Sequence, residues 1–117
     1  MGLIDDVRIL AQKGHVAFTG HALNRLLDRN ISTRTVKSIL SDNNNQLIEI
    51  QSKSNTTGME HKDDRLLIYL PNSCDDVIVI TILSNQPQKE LRVITAERVD
   101  YNKWEKREGN DPDLVRK

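Results

Sequence analysis

Three residues in the first third of the chain carry the types and spacing that proton transfer and anion binding require. His21, Arg25 and Arg29 follow one another at intervals of four, so on a helix they stack along one ridge. Turning about 100° per residue from His21, Ala22, Leu26, Leu23 and Leu27 fall between about 100° and 240° and are the expected core contacts. Asn24, Asp28, His21, Arg25 and Arg29 fill the opposite arc. One imidazole and two guanidinium groups on one ridge suit phosphodiester chemistry. A ribonuclease that uses no metal needs a base for the 2′-hydroxyl, an acid for the leaving oxygen and cations for the phosphate. Histidine moves protons near neutral pH. Arginine offers a fixed charge and a two-pronged donor. The plainer alternative is a solvated polar face, the usual fate of charges on an amphipathic helix.

The elements that must position this ridge follow from periodicity. Leu3, Val7 and Leu10, with Ile4 beside them, predict a helix over residues 3–13. Asp5 and Asp6 suit its first turn, and Gly14 suits its end. His15 to Phe18 reads as a short extended piece. Thr19 is placed to cap the ridge helix, expected over Gly20 to Arg29, and Asn30 is a left-handed stop. Ser32 or Thr33 caps a third helix with Val36, Ile39 and Leu40 as its stripe. The turn-forming run Ser41 to Asn45 ends it.

From residue 46 the period changes to two. Strands are expected over Gln46 to Gln51, Arg65 to Leu70, Val77 to Leu83 and Glu90 to Ala96. Ser52 to Gly58 reads as a polar loop and Asn85 to Gln88 as a turn. Val77 to Leu83 is apolar on both faces, so it belongs at the sheet centre, covered on both sides. Successive short connections favour an antiparallel meander. The expected fold class is α+β: N-terminal helices packed on one face of an antiparallel sheet of about four strands. Tyr101 to Lys106 reads as a short C-terminal helix. Residues 1–108 read as one domain and residues 109–117 as a flexible tail.

Bulk properties narrow the function classes. The chain has 117 residues, with 17 basic and 17 acidic side chains and a formal charge of zero. That counts against a general nucleic-acid binder, which shows a basic excess. The charges are uneven, however: residues 23–37 hold Arg25, Arg29, Arg34 and Lys37 against Asp28 alone. Four aromatic residues are too few for a base-stacking platform. Cys74 is the single cysteine, so no intrachain disulfide forms, and acids beside it argue against a catalytic thiol. With Asp5 and Asp6 where a secretory leader would be basic, and no long apolar run, the expectation is a cytoplasmic chain without a membrane partner. His15, His21 and His61 match no metal-ligand spacing. No metal and no cofactor are expected.

The stretch Phe18-Thr-Gly-His-Ala-Leu-Asn-Arg-Leu-Leu-Asp-Arg-Asn-Ile-Ser32 resembles a small bacterial domain family of unknown function. The hallmark of that family is F-T-x-H-A-x-x-R-x-x-x-R-x-I-S. More distantly, the order of elements resembles the BrnT and RelE group of toxin ribonucleases, which share the barnase, colicin and RelE-like fold. Leu91 to Arg98, followed by Tyr101, Trp104 and Arg107, is similar to the BrnT ending. The resemblance implies a metal-independent endoribonuclease of the toxin class, held in check by a cognate antitoxin or immunity protein. It implies His21 as acid or base, Arg25 and Arg29 as phosphate ligands, and Arg65, Arg92 and Arg98 as further RNA contacts. Thr81 and Thr95 are polar residues on apolar strands, which ordinary strand propensity explains. The chain departs from the group in its neutral charge, in Glu97, and in its first helix. Two rival readings stand beside it: a non-catalytic protein-binding module (immunity protein, antitoxin or adaptor), and a general nucleic-acid binder without chemistry.

Overall fold

The computed structural model describes residues 2–51, 64–73, 76–84, 88–107, 109–110 and 112–117. His61, Cys74 and the connections expected over residues 52–58 and 85–87 lie outside them. In chain order the elements are α1 (Leu3–Gln12), β1 (Val16–Phe18), α2 (Gly20–Asp28), α3 (Thr33–Ser41), β2 (Gln46–Gln51), β3 (Arg65–Tyr69), β4 (Val77–Ser84), β5 (Glu90–Arg98), β6 (Trp104–Lys106) and β7 (Leu114–Arg116). The fold is α+β, as expected. No described helix is long and apolar enough to cross a membrane.

Local chemistry sets the helix ends. Thr19 Oγ1 accepts from the Ala22 amide at 3.0 Å, and Ser32 Oγ accepts from the Thr35 amide at 3.0 Å. Each satisfies one of the donors a helix start leaves open. Asn30 takes φ 57°, and the Ile31 amide reaches back to the Leu26 carbonyl at 2.9 Å. That left-handed closure lets Ile31 fold back onto the core. Asn45 is buried because its Nδ2 caps α3, donating to the Ile39 and Leu40 carbonyls at 2.8 and 2.9 Å. Its Oδ1 accepts from Arg8 Nε at 2.7 Å, which ties α1 to the end of α3.

The main sheet runs β1-β5-β4-β3-β2. Strands β2 to β5 are the expected antiparallel meander. The sheet has five strands, not about four. The extended piece expected at His15 to Phe18 is β1, which pairs parallel with β5. The His15 carbonyl accepts from the Leu91 amide at 2.9 Å, so β1 satisfies an edge of β5 that would otherwise stay open.

β4 sits at the centre and is covered on both faces. On one side Val77 and Val79 join Leu66, Ile68, Leu91, Val93 and Ala96 beneath Val7, Leu26, Val36 and Leu40 of the helices. On the other, Ile78 joins Leu67 and Tyr69 beneath Trp104 and Leu114. This second cover replaces the C-terminal helix expected over Tyr101 to Lys106. Asp100 forms a tight turn instead, with its Oδ1 accepting from the Asn102 amide at 3.0 Å, a local bond that competes with helix. Trp104–Lys106 then pairs with Leu114–Arg116 as a β6–β7 hairpin. Residues 114–116 of the expected tail are thus a strand, and Leu114 has no exposed surface.

Polar bonds seat the hairpin. Arg116 grips Glu49 of β2 with Nε at 2.7 Å and Nη2 at 2.9 Å, and its guanidinium lies 4.4 Å from the Trp104 ring centre. That bond holds the Glu49 carboxyl below its usual range. The Tyr69 hydroxyl donates to Asp76 Oδ1 at 2.9 Å, and the Tyr101 hydroxyl donates to Asp76 Oδ2. Burial, and then that bond, push the Tyr69 phenol up. The bond to Asp76 pushes Tyr101 up to about 12.

Two outcomes check this arrangement. Leu114→Ala should lower unfolding free energy in urea by roughly 2–5 kcal/mol, the range for emptying a buried leucine site. Leu27→Ala, at a residue 80% exposed, should change it by less than about 0.5 kcal/mol. Equal effects would detach the hairpin from the cooperative core. The raised Tyr101 pKa also has a direction. Its contribution is fully present below about pH 10, the unfolded value, and is lost as pH rises through about 12. A Tm–pH profile of Tyr101→Phe should be flatter than wild type over that interval.

Candidate functional site

The sequence groups six residues into one site, and the tertiary structure divides them into three. His21 and Arg25 are exposed on α2 and touch each other: Arg25 Nε donates to His21 Nε2 at 2.7 Å. The imidazole therefore presents its lone pair at Nε2. The pair follows from i, i+4 spacing alone. Among the described residues no carboxylate pairs with Arg25, nor with the exposed Arg34 and Lys37 of α3. The Lys37 ammonium stands 5.9 Å from the Phe18 ring centre, just before the first turn of α2. The exposed surface of α2 and α3 thus carries cations that the fold does not consume.

Arg29, the third member of the ridge, turns inward. Its Nη1 donates to Thr95 Oγ1 at 2.6 Å and to the Ala96 carbonyl at 3.0 Å. Arg98 reaches the opposite way, from β5 to the C-terminal end of α2, where Nη2 donates to the Asn30 carbonyl at 3.1 Å and the Arg29 carbonyl at 3.4 Å. A cation here also meets the negative end of the helix dipole. The two arginines form a reciprocal clasp between α2 and β5. Thr95 is an acceptor within the clasp. Thr81 is buried and donates to the Arg92 carbonyl at 2.9 Å.

Arg65 and Arg92 lie on the other face of the sheet. Arg65 shares parity with Leu67 and Tyr69, and Arg92 is opposite Ile82 on β4; both therefore project toward the hairpin side. Arg92 pairs with Glu90 at 3.1 Å. Strict alternation would put Arg92 and Arg98 on the same face. A bulge prevents it: Ile80 is opposite Thr95 while Thr81 is opposite Val93, leaving Ile94 as the extra residue. The side-chain order inverts there, so Val93 and Ala96 both face the helices, and Arg98 follows.

The core arc of α2 is also narrower than its periodicity predicts. Ala22 and Leu26 are buried, but Leu23 is 45% and Leu27 is 80% exposed. Burial centres near the Ala22–Leu26 line because Arg29 is held against β5. His21–Arg25 and Leu23–Leu27 then flank it on opposite sides. A groove of about 310 Å³ beside Leu27 is lined by Leu26, Ile31, Thr35, Val77 and Arg98. A second of about 370 Å³ lies between Arg29, Arg98, Asp100 and Lys103. Arg98 divides the two, and neither includes His21 or Arg25. No group of three or more His, Cys, Asp and Glu side chains placed to hold a metal ion occurs among the described residues.

Comparison of the chain with protein-family models, with curated proteins and with solved structures finds no match. The site therefore stands on its own geometry.

The clasp and the exposed pair should separate cleanly in stability measurements. Arg29→Met should cost roughly 1–3 kcal/mol in urea unfolding, since it removes two charge-assisted bonds and leaves Thr95 without its donor. Arg25→Met should cost less than about 0.5 kcal/mol. If the two variants unfold alike, the clasp contributes nothing.

Proposed function

We propose that this chain is a toxin-type, metal-independent endoribonuclease, restrained in the cell by a cognate antitoxin or immunity protein. The observation that carries this reading is the exposed His21–Arg25 pair. It joins a proton acceptor to a guanidinium without an ion pair among the described residues, at 2.7 Å, beside the exposed Arg34 and Lys37 of α3.

The chemistry follows from those groups. An RNA phosphate engages the Arg25 guanidinium with two parallel hydrogen bonds. Arg25 then releases His21 Nε2, whose lone pair takes the proton of the 2′-hydroxyl. The 2′-oxygen bonds to phosphorus as the bond to the 5′-oxygen breaks. The proton returns through the imidazolium to the leaving oxygen, giving a 2′,3′-cyclic phosphate and a 5′-hydroxyl end. Arg34 and Lys37 extend the positive surface along the strand. Arg29 supports α2 in this scheme and does not touch substrate. Arg65 and Arg92, on the far face, take no part in the step.

The test is cleavage of total RNA in EDTA by wild type, His21→Ala and Arg25→Ala. Wild type should cleave, leaving cyclic phosphate ends. His21→Ala should fall by roughly 10²–10⁴-fold, the range for loss of a general base. An intact RNA pool with all three proteins would overturn the reading.

A specific observation favours a second reading, a non-catalytic protein-binding module. Leu27 at 80% and Leu23 at 45% exposure form an apolar strip that folding leaves uncovered. Expression in a bacterial host separates the readings. A ribonuclease slows growth in a His21-dependent way. A binding module does not.

A further inference from the structure

A third groove has a volume of about 550 Å³. It is lined by the turn between α3 and β2, the turn after β3, and Gly109, Asn110 and Asp113 between β6 and β7. Among the described residues its polar lining is Asp42, Asn44, Gln46, Asn72, Asn110 and Asp113, with no basic side chain. Two carboxylates and four amides make an oxygen-rich, electronegative surface.

Asp113 is the informative residue. It is 9% exposed, so more than nine-tenths of it is buried. Its backbone amide donates to Gln46 Oε1 at 2.7 Å, which fixes the residue against β2. Among the described residues its carboxylate has no hydrogen-bond or ion-pair partner. Yet no described side-chain oxygen is both fully buried and unsatisfied. Neither carboxylate oxygen is therefore sealed from solvent, and Asp113 lines the groove. A carboxylate that lines a groove without a counter-charge is a ready ligand for a cation. By contrast, the carboxylate of Glu49 is answered by Arg116.

We propose that this groove is a calcium site, with the Asp113 carboxylate as its principal ligand, Asp42 as the second, and the surrounding amide and backbone oxygens completing the shell. The ligands are all hard oxygens, which select Ca²⁺ or Mg²⁺ over softer metals. They come from three separate turns, Asn72 among them at φ 64°. A shell of that kind is flexible and many-membered, as Ca²⁺ accepts, and Mg²⁺ demands a tighter octahedron. The ion would pin the β6–β7 hairpin to the α3–β2 turn. Its place in the fold is independent of the His21–Arg25 surface, so it stands or falls apart from the proposed ribonuclease activity.

The experiment uses the full chain, first stripped with chelator. Tm is measured with CaCl2, with MgCl2, and with NaCl at matched ionic strength. Tb³⁺ binding is followed in parallel by luminescence excited through the protein's aromatic side chains. CaCl2 at about 5 mM should raise Tm by roughly 4 °C or more over the NaCl control, with a smaller response to MgCl2. Tb³⁺ emission should appear and be displaced by Ca²⁺. Asp113→Asn should abolish both responses. Asp42→Asn, at a more exposed residue, should weaken Ca²⁺ by roughly tenfold and keeps the test open if Asp113→Asn does not fold. Equal Tm in CaCl2 and NaCl with no Tb³⁺ emission overturns the proposal. So does an undiminished calcium response in both variants.

Discussion

The constraint on which the rest of the structure depends is the two-sided burial of β4. Val77 and Val79 face one way and Ile78 the other, and none of the three keeps more than a trace of exposed surface. Helices alone cover one face, so the chain must supply a second cover. It does so from its far end, with Trp104 and Leu114. The hairpin exists for that reason: isolated, two three-residue strands would not hold together in water. Its polar seats, Arg116 on Glu49 and two tyrosines on Asp76, fix where the cover lands.

That layering decides where function has room. Helices cover one face of the sheet, and Trp104 and Leu114 cover the centre of the other. Arg65 and Arg92 are separated from the helical surface by the thickness of the sheet. Arg29 and Arg98 are taken up in the clasp that holds α2 against β5. Of the chemistry-bearing group, His21 and Arg25 remain outside, in contact with each other and not bound into the core. The stretch from Phe18 to Ser32 therefore serves two ends. Its Arg29 is structural, and its His21 and Arg25 are available to a ligand.

A bulge of one residue in β5 matters more here than its size implies. Ile94 shifts the alternation so that Ala96 and Arg98 turn toward the helices. Without that inversion Arg98 would lie with Arg92 on the hairpin side, α2 would lack the cation at its C-terminal end, and Arg29 would lose its partners at Thr95 and Ala96. The exposure of Leu23 and Leu27 is the counterpart: drawing Arg29 in rotates those leucines out.

Much of the architecture was legible in the residues themselves. Thr19, Ser32 and Asn30 announce their caps because capping is decided by a side chain and a backbone a few bonds apart. The period of the apolar residues sets helix against strand for the same reason, and the unbroken run from Val77 marks the central strand. The His21–Arg25 contact is likewise local, one helical turn long. What only the tertiary structure decided involves partners far apart in sequence. β1 became a strand because β5 offered an open edge. Tyr101 to Lys106 became a turn and a strand because the second face of β4 needed Trp104 there. The bulge, and with it the sorting of the arginines, depends on which residue of β4 meets which of β5. No single segment carries that information, because register is a property of two strands matched across space.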